Sequence, residues 1–155
     1  MGEILKKRLK QKKEMPLREE VELNIRVASA LMEGNLDSMI SQFGITGAQY
    51  NVLRILKGVY PEGHPRCEIA KRMIDKAPDI TRLIDRLEKQ ELVKRDRTKE
   101  DRRMSITRIT ARGLKLMDEI APFVEETHKE ITKNLTNDEC RELSRLIEKL
   151  YKDRI

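Results

Sequence analysis

Between Val21 and Phe43 the apolar residues Val21, Ile25, Ala28, Met32, Leu36, Met39 and Phe43 recur at steps of 4, 3, 4, 4, 3 and 4. This spacing follows one face of an α-helix, because 3.6 residues per turn brings a side chain back to the same side every third or fourth position. A long helix with one apolar stripe must lay that stripe against another element. Aromatic residues make up only 3% of the chain and Trp is absent. The surfaces that cover the stripe therefore have to be built from Leu, Ile, Val and Met, which favours helices packed through aliphatic faces. At 155 residues the chain has room for one domain with a real core, and not comfortably for two.

The remaining elements follow from the same signals. Gly44 ends the first long helix. Thr46 is placed to cap a second helix, "TGAQYNVLRILKG", with Tyr50, Leu53 and Leu56 inward and Gly58 closing it. "YPEGHPR" reads as a Pro/Gly loop, and "RCEIAKRM" as a short helix burying Ile69, Ala70 and Met73. In "APDITRLIDRLEKQ" Pro78 suits a first helical turn, and Ile80, Leu83, Ile84 and Leu87 form one apolar face. Asp79, Arg82, Arg86 and Lys89 stand opposite that face, with Thr81 and Asp85 on its flank.

Two strand-like runs, 92–97 and 104–110, enclose a charged turn and read as a β-hairpin. Thr110 then caps a long helix carrying Leu114, Met117, Ile120, Val124 and Ile131, which Pro122 is expected to bend or restart. "TNDE" at Thr136–Glu139 is a capping box for a last helix with Leu143, Leu146, Ile147 and Leu150 on one side. The fold expected is mainly α with a small β-hairpin. Helices followed by a two-stranded ribbon, in that order, make a winged helix-turn-helix arrangement.

Charge is unevenly spread. Residues 1–18 carry net +5, 19–65 net −3, 66–112 net +6 and 113–155 net −2, against +6 for the whole chain. A cationic block between acidic ones is the footprint of a protein that meets a polyanion, although a solvated surface gives similar clustering. No Gly-rich phosphate loop, nucleophile with a paired base, or metal-ligand cluster is present in the sequence, so nothing supports an enzyme, a cofactor or a metal site. Two cysteines do not make a disulfide framework, and no apolar run has the length of a membrane span. The expected compartment is the cytoplasm.

Taken in order, "ITGAQYNVLRILKG", "TRLIDRLEKQELVKR" and "EDRRMSITRITARG" resemble the MarR family of transcriptional regulators. The most specific piece is Asp-x-Arg, a strand, then Thr-x-x-Gly, here Asp101, Arg103, Thr110 and Gly113. The resemblance implies a DNA-binding lobe at 46–109, a helical dimerisation region from 17–45 and 110–155, and a basic N-terminal tail at 1–16. It implies a homodimeric, sequence-specific repressor on a pseudo-palindromic operator, released by a small aromatic or lipophilic effector. The alternative from another class is a helical protein-interaction module with a basic surface.

The resemblance also assigns residues. Pro78, Asp79, Thr81, Arg82 and Arg86 fall on the exposed face of the recognition helix. Arg82 is the one suited to a guanine, Thr81 to a thymine methyl or a phosphate, and Arg86 to a phosphate. Asp79 departs from a phosphate-friendly face; it suits either a cytosine amine or the helix N-terminus, where the macrodipole favours an acid. Arg97, Lys99, Arg102 and Arg103 form the wing that reaches the minor groove, with Asp101 holding those arginines in place. Leu143, Leu146, Ile147 and Leu150 are the dimerisation residues. "KQELV" departs from the family where a Gly usually follows the helix; a left-handed residue there would cost about 1 kcal/mol, so a slightly rearranged turn into the wing is expected.

Other residues read more plainly. Cys67 lies near an inward face and reads as a small core residue, while Cys140 sits in the first turn of the last helix. Relatives that sense oxidants carry that cysteine in the first helix, which here has none. His64 falls in a loop and His128 on a helix, neither at ligand spacing. "KKRLKQKK" reads as a solvated, frayed helix or as an auxiliary arm that contacts a nucleic-acid backbone.

Overall fold

Four helices begin on a side chain that the sequence places just ahead of an apolar run. In the computed structural model, which describes residues 2–75, 79–97 (Arg97 in backbone only) and 105–154, Thr46, Asp79, Thr110 and Thr136 each cap a helix through the side chain. Thr46 and Thr136 form full capping boxes with Gln49 and Glu139, so the donors at those helix ends are paired reciprocally.

The elements in order are α1 (Glu3–Leu9), α2 (Leu17–Ser41), α3 (Gly47–Lys57), β1 (His64–Pro65), α4 (Arg66–Arg72), α5 (Ile80–Lys89), β2 (Val93–Arg97), β3 (Ser105–Ile109), α6 (Ala111–Thr132) and α7 (Asn137–Tyr151), with a 3₁₀ turn at Lys152–Arg154. The sheet is antiparallel in the order β1-β3-β2, with Val93 opposite Ile109 and Arg95 opposite Thr107.

One core gathers Ile40, Val52, Leu53, Leu56, Ile69, Ile84, Leu87, Val93, Ile109, Met117 and Ile120, all buried. Of α2 only the last two turns reach it, through Leu36, Met39 and Ile40, joined by Phe43 just past the helix end. Phe43 meets Phe123 edge-on with centroids 5.3 Å apart, which joins the end of α2 to the middle of α6. The rest of α2 runs away from the core, and Val21, Ile25 and Met32 on its stripe remain exposed.

Gly113 explains the Thr-x-x-Gly signature. Thr110 accepts from the Gly113 N–H at 3.0 Å, and its hydroxyl donates to Glu91 O at 2.7 Å. A Cβ on Gly113 would lie 2.2 Å from Leu92 O. The first turn of α6 can therefore sit against the strand start only if that position carries no side chain.

Several expectations need correction. "YPEGHPR" is not only a loop. His64 and Pro65 add a third strand, because Gly63 adopts φ +77 and brings the backbone so close that a Cβ there would meet Thr107 O at 2.3 Å. His64 is therefore on a strand, and its Nε2 is buried without a hydrogen-bond partner among the described residues.

Cys67 is exposed, not inward, and Ala70 is exposed as well. α4 is only seven residues long and lays Ile69 alone into the core. α6 runs on through Pro122 as one element and does not restart there. Gly58 closes α3 in a right-handed conformation, so it is not used there for left-handed backbone. The left-handed residue after α5 is present without glycine: Glu91 takes φ 59.

Candidate nucleic-acid interface

Four arginines of the cationic block stand on or against α5: Arg82 and Arg86 on the helix itself, Arg66 through Thr81 and Arg95 through Asp85 and Glu88. Ile84 and Leu87 bury one face of that helix, which fixes what the other face presents. Arg82 and Arg86 lie on that outer face and are exposed, Arg82 with 79% of its side chain accessible. Asp79 does not project from the face as a free carboxylate. Its Oδ1 accepts from the Arg82 N–H at 3.0 Å as the N-cap, and its Oδ2 pairs with Arg82 Nε at 2.9 Å. The reading of Asp79 as a helix-terminus acid fits this geometry. It also pre-orders Arg82 on the face.

Thr81 is half-buried and accepts from Arg66 NH1 at 2.9 Å. Arg66 opens α4, so this bond ties α4 to α5 and adds a cation beside Thr81. Sequence reasoning missed Arg66, since nothing in its own segment marks it as facing α5.

The base of the hairpin is tied to the same helix. Arg95 on β2 meets Asp85 Oδ1 at 2.9 Å, Glu88 Oε2 through Nε at 2.9 Å, and Glu88 again through NH2. Its backbone N–H also donates to Glu88 Oε1, at 3.2 Å. The Arg95 guanidinium holds the Glu88 carboxyl below the usual glutamate range, with burial opposing it, and Glu88 in turn raises the Arg95 pKa. On the far side of the ribbon, Arg108 Nε pairs with Asp96 at 3.0 Å, and NH1 donates to Pro61 O at 2.6 Å. The ribbon and α5 are thus braced as one body. Arg95 and Arg108 were also missed, because alternation within a strand says which face a residue takes but not which helix waits there.

Pro78, Lys99, Asp101, Arg102 and Arg103, with the side chain of Arg97, lie outside the described residues. Arg82 and Arg86 share the exposed face of α5, while Thr81 is paired with Arg66 on its α4 side. Leu143, Leu146, Ile147 and Leu150 are far from this face in sequence and all exposed, between 37% and 53%. A cavity of about 570 Å³ lies between the end of α2, α3 and α5, lined by Leu36, Tyr50, Met73 and Leu83 and rimmed by Arg82 and Arg86. No cluster of metal ligands occurs among the described residues, and no helix among them is long and apolar enough to cross a membrane.

Comparison with known proteins agrees with this geometry. The family model described as "MarR family" matches residues 45–105. The HTH-type transcriptional regulator PapX of Escherichia coli is 30% identical over 137 residues, covering 87% of this chain and 83% of PapX. The crystal structure of a MarR transcription factor from Planctomyces limnophilus is 39% identical with a TM-score of 0.69, over 88% of this chain and 98% of that one. A cysteine-to-serine variant of E. coli MarR in complex with operator DNA is 26% identical with a TM-score of 0.76, over 88% of this chain and 99% of that one. The braced helix and ribbon, the motif order and these likenesses lead to one conclusion: the chain belongs to the MarR family of winged helix-turn-helix transcriptional regulators.

Proposed function

We propose that the protein is a homodimeric repressor that reads a pseudo-palindromic DNA site with α5 in the major groove and the wing in the adjacent minor groove. The observation that carries this is the outer face of α5. Arg82 and Arg86 stand exposed on a helix whose opposite face is locked into the core, beside a ribbon that Arg95 ties to it. An arginine held on a rigid helix, and oriented by Asp79 through Nε, can turn its two terminal nitrogens to a guanine for two parallel bonds.

The dimer reading rests on α7. Apart from the half-buried Cys140 every residue of α7 is exposed, including its apolar stripe of Leu143, Leu146, Ile147 and Leu150. An amphipathic helix with nothing on its apolar side needs a partner. A two-fold dimer would set the two α5 helices about 34–36 Å apart, one turn of duplex. Seated across a promoter, such a dimer blocks access, which is the basis for reading it as a repressor.

An aromatic or lipophilic effector fits the cavity beside α5. Its lining joins apolar Leu36, Tyr50, Met73, Ile74 and Leu83 to the acids Glu33, Asp37, Asp75 and Asp79 and to Arg82 and Arg86, so ligand and duplex would compete for the same two arginines. The decisive experiment is selection of bound duplexes from a random pool. A pseudo-palindromic site with half-sites one turn apart is expected. Failure to enrich any sequence, while unselected duplex still binds, would leave only a basic binding module.

A further inference from the structure

The basic N-terminal segment is neither frayed nor near α5. α1 buries Leu5 to 3% accessibility, yet Leu5 stands outside the cluster that forms the core. The Gly2 N–H donates to Glu20 Oε1 at 2.5 Å, and Lys6 pairs with Glu14 at 3.6 Å. Lys10 closes α1 in the left-handed region at φ 51, its N–H on the Lys6 and Lys7 carbonyls. The segment is therefore folded back onto the first turn of α2 and held there.

That turn is the wrong end of α2 for the operator. Ile40, in the core, lies 20 positions further along the helix than Glu20. At a rise of 1.5 Å per residue the two are about 30 Å apart along the helix. Charges that far away are screened from each other at physiological salt, where the screening length is about 8 Å.

Lys7, Arg8, Lys10, Lys12 and Lys13 are all exposed, and none has an ion pair among the described residues. Holding them close together costs self-repulsion, which a polyanion relieves. We infer that this segment is a second polyanion-binding surface, remote from α5, and that its partner is the phosphate backbone of a second DNA duplex. The inference rests on the dimeric DNA-binding reading, since dimerisation through the terminal helices would place two such segments at one end.

The choice of DNA over an acidic protein follows from composition. Four of the five free cations are lysines, and residues 1–18 contain no aromatic residue. Protein interfaces are depleted in Lys and enriched in Tyr, Trp and Arg. Backbone binding by counterion release asks only for clustered positive charge.

The test is duplex capture by the full-length protein. The selected operator duplex is immobilised, loaded with protein at low salt, and offered a labelled duplex of unrelated sequence. The intact protein should retain the label, and adding salt should release it. The variant with Lys7→Gln, Arg8→Gln, Lys10→Gln, Lys12→Gln and Lys13→Gln should retain about tenfold less, while operator affinity and its salt slope stay unchanged. A second variant, Arg82→Ala with Arg86→Ala, should lose operator binding yet still bind unrelated duplex in a way that the glutamines abolish. This arm separates failure of the α1 surface from failure of the α5 reading. Capture that survives the glutamines, no capture by the intact protein, or a reduced slope on the single operator would each overturn the inference. So would a polyglutamate peptide that binds α1 as tightly as duplex does.

Discussion

Arg95→Met is the sharpest perturbation of the wing brace. It keeps much of the side-chain volume and removes the guanidinium that faces Asp85 and Glu88. All three side chains are between 34% and 42% exposed, so each pair is screened by solvent and is worth no more than about 1 kcal/mol. Two carboxylates on one guanidinium, one of them held through two nitrogens, place the loss at about 1–2 kcal/mol. The pH dependence has a definite sign. The folded pKa of Glu88 is depressed, so its share of the stability is present above the unfolded glutamate value and is lost as pH falls through the folded one. Arg95 stays charged throughout, because its own pKa is raised. Urea melts at neutral pH should therefore show the variant less stable by that amount. The gap should shrink as pH drops below about 4.3, the ordinary glutamate value. DNA affinity should fall too, since a ribbon that is loose on α5 must be ordered on binding. A neutral-pH midpoint equal to that of the unaltered protein, or a gap that persists fully at acid pH, would refute the brace.

Four further outcomes are expected. Arg82→Ala should cost about 1–3 kcal/mol on the selected site and relax one base pair per half-site, whereas Arg86→Ala should weaken all duplexes alike; titrations on matched and mismatched duplexes check this, and swapped behaviour would reverse the two roles. Replacing Leu146 and Leu150 by Glu should give monomer or aggregate in sedimentation, because charge would be buried at an apolar contact, and a stable monomer of the unaltered protein would remove the dimer. In the wing, Arg103→Ala should lower affinity and flatten the salt slope by about one per subunit; Asp101→Ala should also weaken binding despite the added positive charge, and tighter binding by that variant would contradict a positioning role. Gly113→Ala should destabilise the fold by about 1–3 kcal/mol in urea melts, since its Cβ would press on Leu92 O; an unchanged midpoint would show that α6 shifts freely.

What the sequence by itself determined depends on neighbours along the chain. The caps at Thr46, Thr110 and Thr136 were legible because capping uses a side chain and a backbone N–H three residues away. The inward face of α5 was legible because a helix repeats every 3.6 residues, and so were the arginines opposite Ile84 and Leu87. The turn after α5 went the other way: the missing glycine pointed to a rearranged turn, yet Glu91 itself takes the left-handed conformation.

What only the tertiary structure decided involves groups far apart in sequence. The pairing of His64 with Thr107 joins positions 43 residues apart, and a two-residue strand has no periodicity to betray it. Arg95 finds Asp85 and Glu88 only once the ribbon folds back on α5. Arg66 finds Thr81 only once α4 is set against α5. The basic segment shows the same limit most clearly. Its charge was plain from composition, but where that charge stands was set by Leu5 and by the Gly2–Glu20 bond, which hold it at the start of α2.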